Sequence, residues 1–351
     1  MVIQPTHPTP SSLAQLLKAT QQRASQQSLS ADDQRQIVQV LSAILEGAAK
    51  EIARPLPGLD MQEIRGQEHV KRALEVASAG GHNLLLVGPL GAGKRLLART
   101  LLSVLPEKTD LIPFRTPQTS IDLAAFVGRF DPLSLGELTL AHEGLLFLEH
   151  LSAFAPAHLE ALQQAVERQV VTPQGAKHAF FPARFLLVAT IQPCPCGFYG
   201  DPIRECSCLA EDIIQYQQRV KEVTASCFDL HVEVPYVKPN ALLDKRPGEN
   251  SLSIRRRVEA ARERQHCRFA GTHLSVNSDL GSIDEVQRYC QLGDSSAEKL
   301  LNAAVQQMHL SAQQLLRIQK VSRSIADLAQ CDSIAAFHLA EAIQYRGRFG
   351  R

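Results

Sequence analysis

The stretch GPLGAGKR, Gly88 to Arg95, fits the pattern GxxxxGK[ST] at every fixed position but the last. Gly88, Gly91, Ala92 and Gly93 follow an apolar run and precede a helical pattern. Their backbone N–H groups can therefore converge on phosphates at a helix N-terminus, where the dipole favours anions. Lys94 supplies a point charge for the β and γ phosphates. Arg95 stands where a Ser or Thr hydroxyl would ligate Mg²⁺, so it brings a cation to the place of a cation unless its long side chain swings out to solvent. A loop of this kind needs a second, acidic strand, and GLLFLEHL (144–151) offers one that ends in Glu149 and His150. Glu149 keeps a carboxylate that can hold a metal through water. His150 replaces the carboxylate that would activate water; a neutral imidazole can accept a proton, and the residue reads more simply as a helix-cap or edge histidine.

A second cluster is sulfur. Cys194, Cys196, Cys206 and Cys208 lie as C-x-C-x9-C-x-C in CPCGFYGDPIRECSC. Two close pairs on a Gly/Pro/Asp-rich loop can present four thiolates tetrahedrally, which reads as a structural zinc site with no open position. Cys227, Cys267, Cys290 and Cys331 are scattered and read as ordinary buried residues.

The elements that must position these groups follow from periodicity. NLLLVG (83–88), GLLFLE (144–149), RFLLVAT (184–190) and DLHVEV (229–234) read as buried strands, with helices at 67–79, 94–105, 155–168 and 211–222. This alternation predicts an α/β fold, a three-layer parallel sheet core over 58–236, with the cysteine loop at 193–209 and a β-hairpin over 170–183. From 237 to 351 the pattern is helical throughout, near 251–265, 280–290, 295–307, 311–329 and 332–345, and predicts a separate C-terminal helical domain. Residues 1–57 are polar, with two amphipathic stretches closed by RPLPG, and read as a helical extension.

With 351 residues the chain can bury two packed domains. A formal net charge of +1 argues against a global field that draws the chain to nucleic acid or membrane. The apolar runs fall far short of a membrane span of about 18 residues. The start MVIQPTHPTP lacks a basic-then-apolar signal layout, so the expectation is a cytoplasmic protein without a membrane partner. SIRRRVEAARERQHCRF sets Arg255, Arg256, Arg257, Arg262, Arg264 and Arg268 on one helix, which suits phosphate contact, a solvated face or a subunit interface.

RGQEHVKRALEVASAGGHNLLLVGP, GELTLAHEGLLFLE, FPARFLLVATIQPCPCG and DLHVEVP resemble the magnesium-chelatase-like AAA+ ATPases, in their ComM/YifB group. RRRVEAARERQHCRF and the run from Arg317 to Arg346 continue the resemblance into the C-terminal helices, where a lid domain is implied. It covers residue 58 to the end; the Lon-like N-terminal domain usual in that group has no counterpart in 1–57. The resemblance implies ATP as cofactor and self-association into a ring, a hexamer in DNA-acting members. It also implies DNA as a partner, through branch migration during transformation, or a mixed ring with another AAA+ subunit. Carried over by position, it puts Arg95 at the phosphate-loop hydroxyl, Glu149 and His150 at the Asp-Glu pair, and Gln192 at the γ-phosphate sensor. Ser226 and Cys227 fall where the arginine finger would be taken from, and Gln313 at the lid arginine, for which Arg317 or Arg323 could substitute. Three readings follow: a nucleotide-binding ring protein with weak or lost hydrolysis, a non-catalytic subunit beside a competent AAA+ partner, and an ATPase that uses Glu149 and His150 in relocated roles.

Overall fold

The computed structural model of the protein describes residues 59–106, 113–130, 134–176, 180–201, 204–237 and 248–347. The helical extension expected over 1–57 lies outside them.

Helix α1 (Glu68–Gly80) leads through His82 into strand β1 (Leu84–Val87), the phosphate loop and helix α2 (Lys94–Thr100). Strand β2 (Phe114–Arg115) follows, then helix α3 (Leu123–Val127), the small antiparallel pair β3 (Gly128–Arg129) and β4 (Ser134–Leu135), and helix α4 (Glu137–Leu140). Strand β5 (Leu145–Leu148) precedes helix α5 (Pro156–Arg168), and β6 (Val170–Val171) pairs antiparallel with β7 (Phe181–Pro182) as the expected hairpin. Strand β8 (Leu186–Ile191), the cysteine loop, helix α6 (Ala210–Cys227) and strand β9 (Leu230–Glu233) complete the α/β part. Helices α7 (Ser251–Arg268), α8 (Ile283–Tyr289), α9 (Ser295–Met308), α10 (Ala312–Leu328) and α11 (Ala336–Gln344) follow.

The main sheet has the order β2-β5-β8-β1-β9 with every pair parallel. Leu84 faces Val188 on one side and Leu230 on the other. Chain order turns back around β1, so the crevice at the carboxyl end of that strand is where a ligand binds in open sheets of this kind. Alternation along the strands fills both faces. Leu84, Leu86, Phe147, Val188 and Val232 join α1, α2 and the C-terminal helices in one apolar cluster. Leu85, Leu146, Leu148, Leu187 and Ala189 join α5 and α6 in another. The helical part is thus not held off by a linker; its core is continuous with that of the sheet.

The contact between the two parts explains the fate of the arginine-rich helix. Arg262 donates to the Ser78 carbonyl at 3.0 and 2.6 Å, and Gln265 donates to the Ala79 carbonyl at 2.9 Å. These oxygens belong to the last turn of α1, which has no partners of its own for them and carries the negative end of the helix dipole. Arg255 donates twice to the Ser103 carbonyl, Arg257 pairs with Glu75 and Glu249, and Arg264 and Arg268 pair with Asp332 and Asp327. Of the six arginines, Arg256 alone is exposed and the other five are half-buried. No helix among the described residues is long and apolar enough to cross a membrane.

Candidate functional site

β1 carries Gly88 to the carboxyl edge of the sheet, between β8 and β9. Its N–H donates to the Ile191 carbonyl at 3.1 Å, and a β-carbon there would fall 2.2 Å from the Val234 carbonyl oxygen, so only glycine fits. Gly91 and Gly93 take φ of +81° and +83°, and nothing lies within 4 Å of where a β-carbon on Gly93 would stand. That turn points backbone toward open space at the start of α2. Two side chains that motif spacing did not assign brace it. Gln67 donates Nε2 to the Ala92 carbonyl at 3.1 Å and to the Pro235 carbonyl at 2.9 Å, and the Tyr236 hydroxyl donates to the Leu90 carbonyl at 2.8 Å. Gln67 lies within the RGQEHV run that carries the resemblance, but no spacing rule gives it a role.

Lys94 is buried, and its Nζ donates to the Gly88 and Pro89 carbonyls at 2.6 Å each. Burial pulls its ammonium down to about 8, against the opposing pull of Glu149. Arg95 reaches across the loop mouth, with Nη1 3.7 Å from Glu149 Oε2. At 64% and 32% exposure the pair contributes little to stability, about 0–1 kcal/mol; its importance is where it puts a positive charge. His150 follows with φ of +54°, caps the short turn Leu151–Ala153, and donates its backbone N–H to Thr190 Oγ1 at 3.1 Å, while its side chain is exposed. Gln192 lies beyond the end of β8, half-buried beside Gly197.

The phosphate loop, Arg95, Glu149, His150 and Gln192 are thus gathered at one edge of the sheet. Arg317 is not. Its guanidinium donates to the Ala225 carbonyl and, at 2.7 Å, to the Ser226 carbonyl, and stands 3.8 Å from Asp229, at the strand-entry edge opposite the loop. There it lines a cleft of about 900 Å³ with Arg184, Arg262, Asp229 and Asp279. Arg323 is also elsewhere, buried against Asp327 inside the helical part. Cys227, expected from the resemblance at the place of a finger, is buried, and burial pushes its thiol up to about 11.

The four cysteines of the loop after β8 converge. Their sulfurs all lie within 4.8 Å of one another, with Cys194 3.4 Å from Cys196, Cys194 3.7 Å from Cys206 and Cys196 3.5 Å from Cys206. Tetrahedral zinc–sulfur bonds of about 2.3 Å require sulfur separations of about 3.8 Å, so the cage fits such an ion. Backbone N–H groups already point at the sulfurs, Tyr199 to Cys194 and Cys196 to Cys208, each at 3.3 Å. The Phe198 backbone N–H leads the pull that brings the Cys196 thiol down to about 5; for Cys206 and Cys208 backbone N–H bonds pull the same way, but desolvation and the neighbouring sulfurs outweigh them and push those thiols up. Four sulfurs at this spacing suit a closed metal site whose ion would displace the remaining protons.

Comparison with known proteins matches residues 60–111 and 107–242 to the family described as magnesium chelatase, subunit ChlI, and residues 248–346 to the C-terminal part of the same subunit. The uncharacterized protein YifB of Salmonella typhimurium is 35% identical over 88% of this chain and 66% of its own length. YifB of Escherichia coli is 35% identical over the same shares. The competence protein ComM of Haemophilus influenzae is 37% identical over 82% of this chain and 60% of its own. The chain therefore spans just under two thirds of these relatives. A solved full-length MCM homolog from Methanopyrus kandleri aligns over 98% of this chain and 62% of that one, at 18% identity and a TM-score of 0.48, too distant to carry an argument.

Proposed function

The chain belongs to the magnesium-chelatase ChlI-like family of AAA+ proteins, alongside YifB and ComM, and on that premise we propose that it binds ATP at Gly88–Arg95 and hydrolyses it weakly or not at all. The observation that carries this reading is the Arg95 guanidinium 3.7 Å from Glu149. A complete site puts a divalent ion between a loop hydroxyl and an acidic strand end; here a monovalent cation, loosely paired with Glu149, stands beside that place. Lys94 and the loop amides bind phosphate without metal, and Arg95 adds a counter-charge. DNA association, implied by the resemblance, gets no support from α7, whose arginines, Arg256 apart, are engaged within the chain by Ser78, Ser103, Glu75, Glu249, Asp327 and Asp332; the reading stops at the nucleotide.

The test is ATP binding to the purified chain in EDTA and in excess Mg²⁺, beside Lys94→Ala. We expect affinity that changes less than about threefold with metal and that the alanine variant abolishes; binding only with Mg²⁺ would sink the reading. A pH series adds a second readout. Lys94 must be an ammonium to meet phosphate and deprotonates near pH 8 in the free protein. Affinity should therefore be flat below pH 7 and fall above 8, by up to about tenfold per pH unit.

A second reading has one observation behind it. Cys227 is buried at the position from which a finger would reach a neighbour, which suits a subunit that supplies no finger of its own. AAA+ proteins typically form rings, and a mixed ring with a competent partner satisfies both readings; a hexamer of this chain alone satisfies the first.

We further assign the cysteine cage to structural zinc, held by Cys194, Cys196, Cys206 and Cys208. One zinc per chain is expected by elemental analysis after purification without added metal. Cys206→Ser should reduce it below one half, while Cys267→Ser, at an exposed cysteine outside the cage, should leave it unchanged.

A further inference from the structure

Tyr216 ties the backbone that leads into the cysteine cage to the turn that follows β5. Cys194 follows Gln192 by two residues, and α6 begins two residues after Cys208, so the loop that holds the cage also fixes where α6 starts. Tyr216, one and a half turns into α6, reaches back across the loop. Its hydroxyl donates to the Gln192 carbonyl at 3.1 Å and lies 2.9 Å from Ser152 Oγ. A phenol has a single proton. Since the carbonyl can only accept, Ser152 must be the donor in the second bond, and the chain of hydrogen bonds has one direction: Ser152 to Tyr216 to Gln192. Gln217, the next residue, donates Nε2 to the Pro193 carbonyl at 3.3 Å.

The ends joined in this way are those that carry the candidate nucleotide groups. β5 and β8 are parallel neighbours, with Leu148 beside Ala189. Past β5 come Glu149, His150 and the turn with Ser152; past β8 comes Gln192. The His150 backbone N–H on Thr190 Oγ1 is the near link between the two ends, and Tyr216 is the far one. Tyr216 is half-buried, so neither bond is freely exchanged for water.

We propose that the cysteine cage and the nucleotide site are coupled through Tyr216, so that zinc in the cage and ATP on the phosphate loop each tighten the other. The proposal rests on the two assignments made above, ATP to the loop and zinc to the cage. Zinc fixes the 193–209 loop and the start of α6. Tyr216 then holds the Gln192 backbone and the Ser152 turn at one spacing, and ATP no longer bears the cost of ordering them. By linkage, ATP that orders the same ends must stabilise the metal by an equal factor.

The experiment is a competition titration of the zinc-loaded full chain with a chromophoric zinc chelator, with and without saturating ATP, repeated on Tyr216→Phe. The variant keeps the ring and removes the hydroxyl. In the wild-type chain ATP should raise zinc affinity by about fivefold or more. In the variant zinc content should stay at one per chain and the ATP effect should drop below about twofold. Equal zinc affinity with and without ATP in the wild type overturns the proposal, and so does a full ATP effect that persists in the variant. Circular dichroism checks that the variant folds; if it does not, Ser152→Ala cuts the same path from its other end and is read by the same criteria. Failure of the underlying assignments is separable. A chain without zinc in elemental analysis removes the cage, a chain that does not bind ATP removes the loop, and either result takes the coupling with it.

Discussion

ATP hydrolysis by the purified chain should run at least about 10³-fold below that of a P-loop enzyme with a complete metal site and an arginine finger, measured as phosphate release under single-turnover conditions. Phosphoryl transfer in this class depends on positioning and on charge placed around the γ-phosphate, and a finger alone is worth about 10³ to 10⁵ in rate. Cys227, which the resemblance sets where a finger would come from, is buried. The loop hydroxyl is replaced by Arg95, which stands against Glu149. Where the resemblance sets a second carboxylate stands His150, an exposed residue that opens the Leu151–Ala153 turn without a side-chain bond to it. A guanidinium can neutralise phosphate charge in the ground state but cannot polarise a bound water as a divalent ion does. Magnesium-dependent turnover that Lys94→Ala abolishes would refute this account and favour Glu149 and His150 as a working pair. Turnover that appears only when a competent AAA+ partner is added would favour the mixed ring.

Asp327→Ala should destabilise the fold by about 3–5 kcal/mol in urea unfolding. Asp327 is fully buried and receives Arg323 at 3.0 Å, Arg268 at 2.9 Å and Asn277 Nδ2 at 2.9 Å. Arg323 is 1% exposed. Burial pulls its guanidinium below the ordinary arginine range, and the Asp327 carboxylate opposes that pull. Removing the carboxylate leaves the buried Arg323 guanidinium, and the partly exposed Arg268 beside it, without their shared counter-charge, which costs more than the ion pair itself gains. Asp327→Asn keeps the shape and one acceptor oxygen and should fall between wild type and alanine. An alanine variant within about 1 kcal/mol of wild type would mean that water reaches this cluster.

The parts of the molecule that sequence made readable are those where local pattern and tertiary role coincide. The four long sheet strands are apolar runs between turns, and each lies within two residues of its expected bounds. The phosphate loop and the four cysteines are legible because their chemistry is local: contiguous glycines in one case, two C-x-C pairs in the other. β2 went unread because two residues, Phe114 and Arg115, are too few to show a period. The short elements from Leu123 to Leu140 were missed for the same reason. Arg317 could not be placed from sequence, since being on a helix of the right domain does not say which end of the sheet the helix meets. Tyr216 and Gln67 carry no signal in their spacing; their roles arise from carbonyls far away in the chain, at Gln192 and Pro235. The arginines of α7 show the limit most plainly. A helix with this much charge reads as solvated or as a surface for phosphate until its receiving face is known.

That receiving face has a consequence for how the protein can change over time. Arg255, Arg262 and Gln265 deliver their hydrogen bonds to the main-chain oxygens of Ser103, Ser78 and Ala79. Main-chain oxygens are supplied by any residue type. These three contacts therefore do not choose the side chains at 78, 79 and 103; the burial of Ser78 and Ala79 and the Ser103–Ser251 hydroxyl bond do that. An insertion or deletion in α1 is a different matter, because it would rotate the Ser78 and Ala79 oxygens away from α7 together. At this seam the hydrogen bonds fix length, and packing fixes spelling.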